Sequence, residues 1–228
     1  ARVDMLDQNC VNKLEEDNDF ICDDSGCKVW CAGSTCAVTT RCAAAPGLEV
    51  VTGDAITSPA DQWGPYAECP PGYYVIGLAR IDLLDDKSFA SQELNDYRCD
   101  DNGCQAWCWN TRCTVQSRCF RMSNDEAPVA TTSLVVQNSR EYSSPANSWS
   151  DYAACPDGFQ ATGLARVDLL DETGQDNQDV NDFLCDESGC KTWCWNTRCS
   201  IISRCASAPG LEVINSGSIT MQPNAWSD

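Results

Sequence analysis

The chain of 228 residues contains no histidine. A Ser-His-Asp or Cys-His catalytic device is therefore excluded, and so is the imidazole half of many zinc sites. No two cysteines stand in a C-x-x-C spacing, which short zinc loops and dithiol redox motifs use. No Asn-x-Ser/Thr sequon occurs, so N-glycosylation at that signal is excluded. No apolar run approaches the length needed to span a bilayer as a helix. Basic residues are scarce: 15 Lys and Arg against 34 Asp and Glu, a net charge of −19. Nucleic acid and anionic membrane surfaces are poor partners for such a chain. The chain begins Ala1-Arg2-Val3-Asp4, without initiator Met or apolar signal region, which suits a processed secreted protein or a window of a longer one.

Cysteine is abundant instead. There are 18, the density of a disulfide scaffold in a secreted chain. Fifteen of them lie in three runs with one spacing, C-x4-C-x3-C-x4-C-x5-C. These are Cys22, Cys27, Cys31, Cys36 and Cys42; Cys99, Cys104, Cys108, Cys113 and Cys119; and Cys185, Cys190, Cys194, Cys199 and Cys205. Recurrence at a fixed period sets the organisation ahead of the length prior. It predicts three units: 1–62, 63–148 with a nine-residue insertion, and 149–228. Units of about 80 residues are small for a core of their own and need staples. Disulfides imply an oxidising, extracellular or secretory compartment.

Around each run the blocks repeat. W-x-x-Y-A-x-C-P-x-G-(Y/F)-x-x-x-G-L stands at Trp63–Leu78 and Trp149–Leu164 and brings Cys69 and Cys155. A-R-(V/I)-D-(L/M)-L-D follows at Ala79 and Ala165, and opens the chain at Ala1. An acidic loop of variable sequence, N-D-(F/Y)-x-C, the cysteine run and an apolar tail complete the unit. Val167–Leu170, Tyr73–Leu78, Ser200–Ile202 and Leu211–Ile214 are short, rich in β-branched or aromatic residues, and bounded by Gly, Pro, Asn or Asp. They read as strands. Asp-Glu-Ser-Gly and Trp-Asn-Thr-Arg are four-residue connections that suit hairpins. The expected fold is all-β, with short antiparallel strands in tandem, disulfide-stapled units, and each cysteine run a three-stranded meander. Cys185 then faces Cys190 and Cys194 faces Cys199, within disulfide reach, which leaves Cys205 for Cys155.

The first unit lacks the opening strand and its C-P cysteine, and has Cys10 in an acidic loop instead. Cys10 either bonds Cys42 or remains for cross-linking chains. The second reading leaves the opening strand to upstream sequence or to another protomer.

Paired carboxylates without a unique pair give no basis for an enzyme, and no cofactor is required. Calcium is the sharper ligand hypothesis. Asp82, Asp85, Asp86, Asp100 and Asp101 in the second unit match Asp168, Asp171, Glu172, Asp186 and Glu187 in the third. Clustered carboxylates suit a hard cation; the competing reading is a solvated acidic face. Trp30, Trp107, Trp109, Trp193 and Trp195, with Trp63, Trp149 and Trp226 at unit boundaries, either pack against disulfides or present a sugar-stacking platform. Thr131–Ser133 and Ser143–Pro145 are either O-glycan acceptors or ordinary loop.

The block at Trp63, Cys69, Pro70, Gly72, Asn95, Asp96 and Cys99, repeated at Trp149, Cys155, Pro156, Gly158, Asn181, Asp182 and Cys185, resembles two extracellular families. One is the vitelline membrane outer layer protein family, egg-coat proteins whose repeats form a β-prism. The other is the dermatopontin family of matrix proteins. The likeness covers under half of each unit, and the five-cysteine run is outside both patterns. The resemblance implies an extracellular coat or matrix role with carbohydrate contact. Together these features predict a secreted structural protein whose copies assemble head to tail, a neighbour completing the missing strand. The alternative is a soluble secreted lectin-like module.

Overall fold

The computed structural model describes residues 2–5, 16–23, 25–32, 35–84, 93–123, 134–170 and 179–221. Side chains are described for most of these. No helix occurs among them. The first unit contributes β1 (Arg2–Met5), β2 (Glu16–Asp23), β3 (Gly26–Ala32), β4 (Cys36–Ala44), β5 (Leu48–Thr52) and β6 (Ile56–Ser58). The second contributes β7 (Tyr74–Leu83), β8 (Glu93–Asp100), β9 (Gly103–Trp109), β10 (Cys113–Met122), β11 (Val135–Asn138) and β12 (Tyr142–Ser144). The third contributes β13 (Gln160–Leu169), β14 (Asp179–Asp186), β15 (Gly189–Trp195), β16 (Cys199–Ser207) and β17 (Glu212–Met221). The strands around Tyr73, Val167, Ser200 and Leu211 run further than their local apolar signals, because ladder partners outside those signals extend them.

Three antiparallel sheets result. Their orders are β15-β14-β1-β4-β17, β3-β2-β7-β10-β5 and β9-β8-β13-β16-β11, with β6 also on β10 and β12 also on β16. Each sheet holds a hairpin at one side, an Ala-Arg-(Val/Ile)-Asp strand, the strand that ends a cysteine run, and an apolar tail. The sheets cross the lines between sequence units. Hairpin β2–β3 pairs with β7 through Phe20 and Ile21. Hairpin β8–β9 pairs with β13 through Tyr97 and Arg98. Hairpin β14–β15, late in the chain, pairs with β1 at its start.

The first turn of each cysteine run is a hairpin. Cys22, Cys99 and Cys185 stand directly across the ladder from Cys27, Cys104 and Cys190 and are bonded to them, with Cα–Cα distances of 4.0, 4.1 and 4.0 Å. The second turn is not a hairpin, so the expected three-stranded meander is corrected. β9 lies in one sheet and β10 in the next, and β15 and β16 are separated likewise. Asn110 and Asn196, at φ 52° and 51°, turn the chain across the sheet boundary through the left-handed conformation that asparagine tolerates. Cys108–Cys113 and Cys194–Cys199 therefore staple sheet to sheet, with Cα–Cα distances of 6.4 and 6.3 Å.

The main core is shared by the three sheets. Val75, Ile81, Val115, Val167 and Ile201 pack there with cystines 99–104 and 185–190. Full burial of such side chains stabilises by about 1.5–3 kcal/mol each. β7 and β13 meet closely at the centre: Thr162 Oγ1 lies 3.2 Å from the Ile76 carbonyl. Arg204, 2% exposed, reaches between sheets, its Nε donating to the Val75 carbonyl at 2.8 Å. Arg41 makes the corresponding bond to the Ala161 carbonyl at 2.9 Å.

Candidate functional site

Two segments outside the regular ladders set the pattern by which the site is recognised. Ala67 exchanges backbone hydrogen bonds with Cys104, its N–H donating at 2.7 Å and its carbonyl accepting at 3.2 Å. The same carbonyl accepts the Ser117 hydroxyl proton, while Ser117 Oγ accepts from Cys104 N–H. Two residues on, Cys69 is bonded to Cys119. The third unit repeats this: Ala153 N–H donates to Cys190 at 2.7 Å, the Ser203 hydroxyl donates to the Ala153 carbonyl, and Cys155 is bonded to Cys205. Both alanines are fully buried. The backbone runs so close to the hairpin turn that only glycine fits opposite. A Cβ at Gly103 would meet the Ala67 carbonyl at 2.5 Å, and one at Gly189 would meet the Ala153 carbonyl at 2.5 Å.

The first unit has the receiving half of this arrangement. Thr40 Oγ1 accepts from Cys27 N–H at 3.0 Å, as the two serines do from theirs. No described carbonyl takes its proton. A Cβ at Gly26 would meet, among the described residues, only Thr40 Oγ1, at 3.5 Å. Cys42, the counterpart of Cys119 and Cys205, is a free and exposed thiol. This differs from the expectation that Cys42 is disulfide-bonded: its counterparts Cys119 and Cys205 bond the cysteines of Cys-Pro segments, and Cys10 lies outside the described residues. A cavity of about 370 Å³ opens beside these residues, reaching from Gly26, Thr40 and Cys42 to Ile76, Thr162 and Leu164 at the β7–β13 contact. Burial in this region lowers the Arg41 pKa, against the pull of Asp186 and Glu187.

The remaining cysteines are placed simply. Cys10 lies outside the described residues, as do the side chains of Cys31 and Cys36. The other disulfides are those given above.

The carboxylates are dispersed among partners. Asp82 pairs with Arg80 and Asp168 with Arg166. Asp100 accepts from the Tyr66 hydroxyl at 2.8 Å and from Asn102 N–H at 2.8 Å. Asp186 does the same with Tyr152 at 2.7 Å and Ser188 at 2.8 Å. Asp101 pairs with Arg204 at 2.6 Å, and Glu187 is exposed. Asp85, Asp86, Asp171 and Glu172 lie outside the described residues. Among the described residues no group of three or more His, Cys, Asp or Glu is gathered to hold a metal ion.

The tryptophans divide. Trp107 and Trp109 pack together, ring centroids 5.8 Å apart, and Trp30 and Trp193 are half-buried. Trp63 and Trp149 are 39% and 37% exposed. The Arg98 guanidinium lies 4.8 Å from the Trp63 ring, and the Lys191 ammonium 5.0 Å from Trp149 and 4.8 Å from Tyr152. Trp226 and the Trp195 side chain lie outside the described residues.

Sequence reasoning missed Thr40 and its counterparts Ser117 and Ser203. Their signal was present: a hydroxyl residue and an arginine precede the last cysteine in every run, as Thr40-Arg41, Ser117-Arg118 and Ser203-Arg204. The arrangement can do two things chemically: it can pair an extended backbone and form a disulfide with it. No protein-family model matches the chain, and no curated protein or solved structure matches it either.

Proposed function

We propose that this is a secreted, extracellular structural protein whose copies assemble head to tail by strand addition. The carrying observation is β17, the outer strand of its sheet among the described residues, which exposes Ile214 and Ile219. An outer strand offers main-chain hydrogen bonds to an incoming segment. A contact between unlike surfaces of successive copies propagates as an open filament unless it closes. The disulfide framework suits an oxidising, extracellular setting.

Non-reducing electrophoresis and negative-stain microscopy of the natural protein test this reading. Ladders that collapse on reduction, together with fibres, are expected. A monodisperse monomer with every cysteine paired internally would overturn it.

A second reading, a carbohydrate-binding module, is favoured by the exposed Trp63 and Trp149, each beside a cation. Aromatic faces of this kind stack on sugars. A glycan array decides it: binding that Trp63→Ala and Trp149→Ala abolish supports the lectin reading.

A further inference from the structure

Resting on the extracellular setting of that reading, we infer that Thr57 and Ser143 are attachment sites for O-linked sugars. The sugar is transferred to the folded protein, so these two hydroxyls receive it and their neighbours Ser58 and Ser144 do not.

The two sites are one position seen twice. Ile56-Thr57-Ser58-Pro59-Ala60, which begins with β6, matches Tyr142-Ser143-Ser144-Pro145-Ala146, which begins with β12. Each strand is three residues long and pairs with the strand that ends a cysteine run. The register is the same in both. Thr57 stands opposite Thr114 and Ser58 opposite Cys113. Ser143 stands opposite Ser200 and Ser144 opposite Cys199.

Adjacent side chains on a strand point to opposite faces, and the hydroxyls of each pair divide accordingly. Ser58 and Ser144 are each 1% exposed. The Ser58 hydroxyl donates to the Ala106 carbonyl at 2.7 Å, and Ser144 Oγ lies 3.1 Å from Cys199 Sγ. Thr57 and Ser143 are exposed, and so are Pro59 and Pro145. Neither the Thr57 nor the Ser143 hydroxyl has a hydrogen-bond partner among the described residues. Proline holds the residue before it in extended backbone and has no N–H to continue the ladder. Each site is thus a short, extended, solvent-facing acceptor with proline two residues after the hydroxyl. Serine and threonine beside proline form the composition of O-glycosylated segments.

The co-reactant is a nucleotide-activated sugar of the secretory pathway. The Thr57 or Ser143 hydroxyl oxygen bonds the anomeric carbon. The bond from that carbon to the nucleotide's phosphate breaks, the nucleotide leaves with the electron pair, and the hydroxyl proton passes to a base of the transferase.

Peptide mapping of the natural protein tests this, by mass spectrometry with fragmentation that leaves sugars attached and with the disulfide state recorded before reduction. Residues 42–80 and 141–166 each end in Arg and contain no internal Lys or Arg, so trypsin releases each as one peptide. Each is expected to carry a hexose or N-acetylhexosamine, on Thr57 and on Ser143, with occupancy at least tenfold above that at Ser58 and Ser144. Ser148 is also exposed, but it lies in a bend with no proline after it in that turn. It should stay bare, which separates an extended acceptor from exposure alone. Thr57→Val and Ser143→Ala chains secreted by the same cells should each lose the sugar from the substituted peptide only. Either peptide bare while the disulfides are intact overturns the inference and leaves the extracellular reading standing. Bare peptides with the cysteines reduced sink both. Sugar on Ser58 or Ser144 also overturns the inference, because the fold covers those hydroxyls.

Discussion

At the scale of single residues, the three hairpin glycines separate two effects. Gly26, Gly103 and Gly189 all take positive φ, 142°, 145° and 125°, so alanine strains the backbone at each. At Gly103 and Gly189 it also drives a methyl into a backbone carbonyl at 2.5 Å; at Gly26, among the described residues, it meets only Thr40 Oγ1, at 3.5 Å. Overpacking of this kind costs roughly 1–3 kcal/mol. Gly103→Ala and Gly189→Ala should therefore lower stability by about that much more than Gly26→Ala, read as denaturant midpoints at constant slope. Arg204 gives a second case. It is 2% exposed, while its partner Asp101 is 82% exposed, so the ion pair itself contributes little. The buried end matters more, because Arg204 also satisfies the Val75 carbonyl and Asn138 Oδ1. Arg204→Ala should cost about 2–4 kcal/mol, as lost packing with orphaned acceptors, and Asp101→Ala less than about 1 kcal/mol. Tyr97 carries the pH dependence. Burial pushes its phenol well above the ordinary value of 10.0. Below that value both folded and unfolded chains keep the proton, and the group contributes no slope. Above it the unfolded chain ionises first, so stability is lost as pH rises. In an optical titration Tyr97→Phe should leave the native amplitude near pH 10 unchanged and lower the amplitude of the unfolded chain by one of its six tyrosines.

At the scale of elements, the disulfides do three different jobs. The 99–104 and 185–190 bonds close hairpins whose ladders already bring the cysteines together. The 108–113 and 194–199 bonds tie one sheet to the next. The 69–119 and 155–205 bonds fix the segments that cross the sheet boundaries, each with a sequence separation of 50. Loop-closure entropy gives about 4 kcal/mol for a loop of that size and about 2 kcal/mol for a separation of 5. Cys69→Ala with Cys119→Ala should therefore destabilise about twice as much as Cys99→Ala with Cys104→Ala, measured by thermal or denaturant unfolding. Equal losses would place the larger bond's contribution in the folded state, through strain or packing, rather than in chain entropy.

For the whole molecule, three sheets share strands across the sequence units, and hairpin β14–β15 closes onto β1 at the start of the chain. A net charge of −19 makes each copy repel the next. If copies join through Cys42, added salt should speed interchain linking, because screening shortens repulsion to about 10 Å near 0.1 M. Rates of ladder formation across a salt series measure this; a rate that falls with salt would point to a basic partner instead. The Cys42→Ser variant supplies the baseline, since it removes the linking thiol and leaves the charge unchanged.

Much was legible in the chain itself. Strand character followed from β-branched and aromatic runs between turn residues. The 185–190 pairing followed from a four-residue hairpin, and the 155–205 pairing from the cysteines left over. These are local properties, set by turn chemistry and chain spacing, so they can be read without coordinates. The Trp-Asn-Thr-Arg turns could not be read in the same way. Their length fits a hairpin, yet asparagine in a left-handed conformation sends the chain into the next sheet, and only the packing of that sheet selects between the two. The grouping of the acidic residues was equally invisible: Asp82, Asp101 and Asp168 are engaged by Arg80, Arg204 and Arg166, pairs that the folded geometry sets. The contacts around Gly26, Thr40 and Cys42 were not legible either. Thr40, like Ser117 and Ser203, takes the N–H of a hairpin cysteine 13 residues before it, a contact between strands of different sheets that only the packing of those sheets sets.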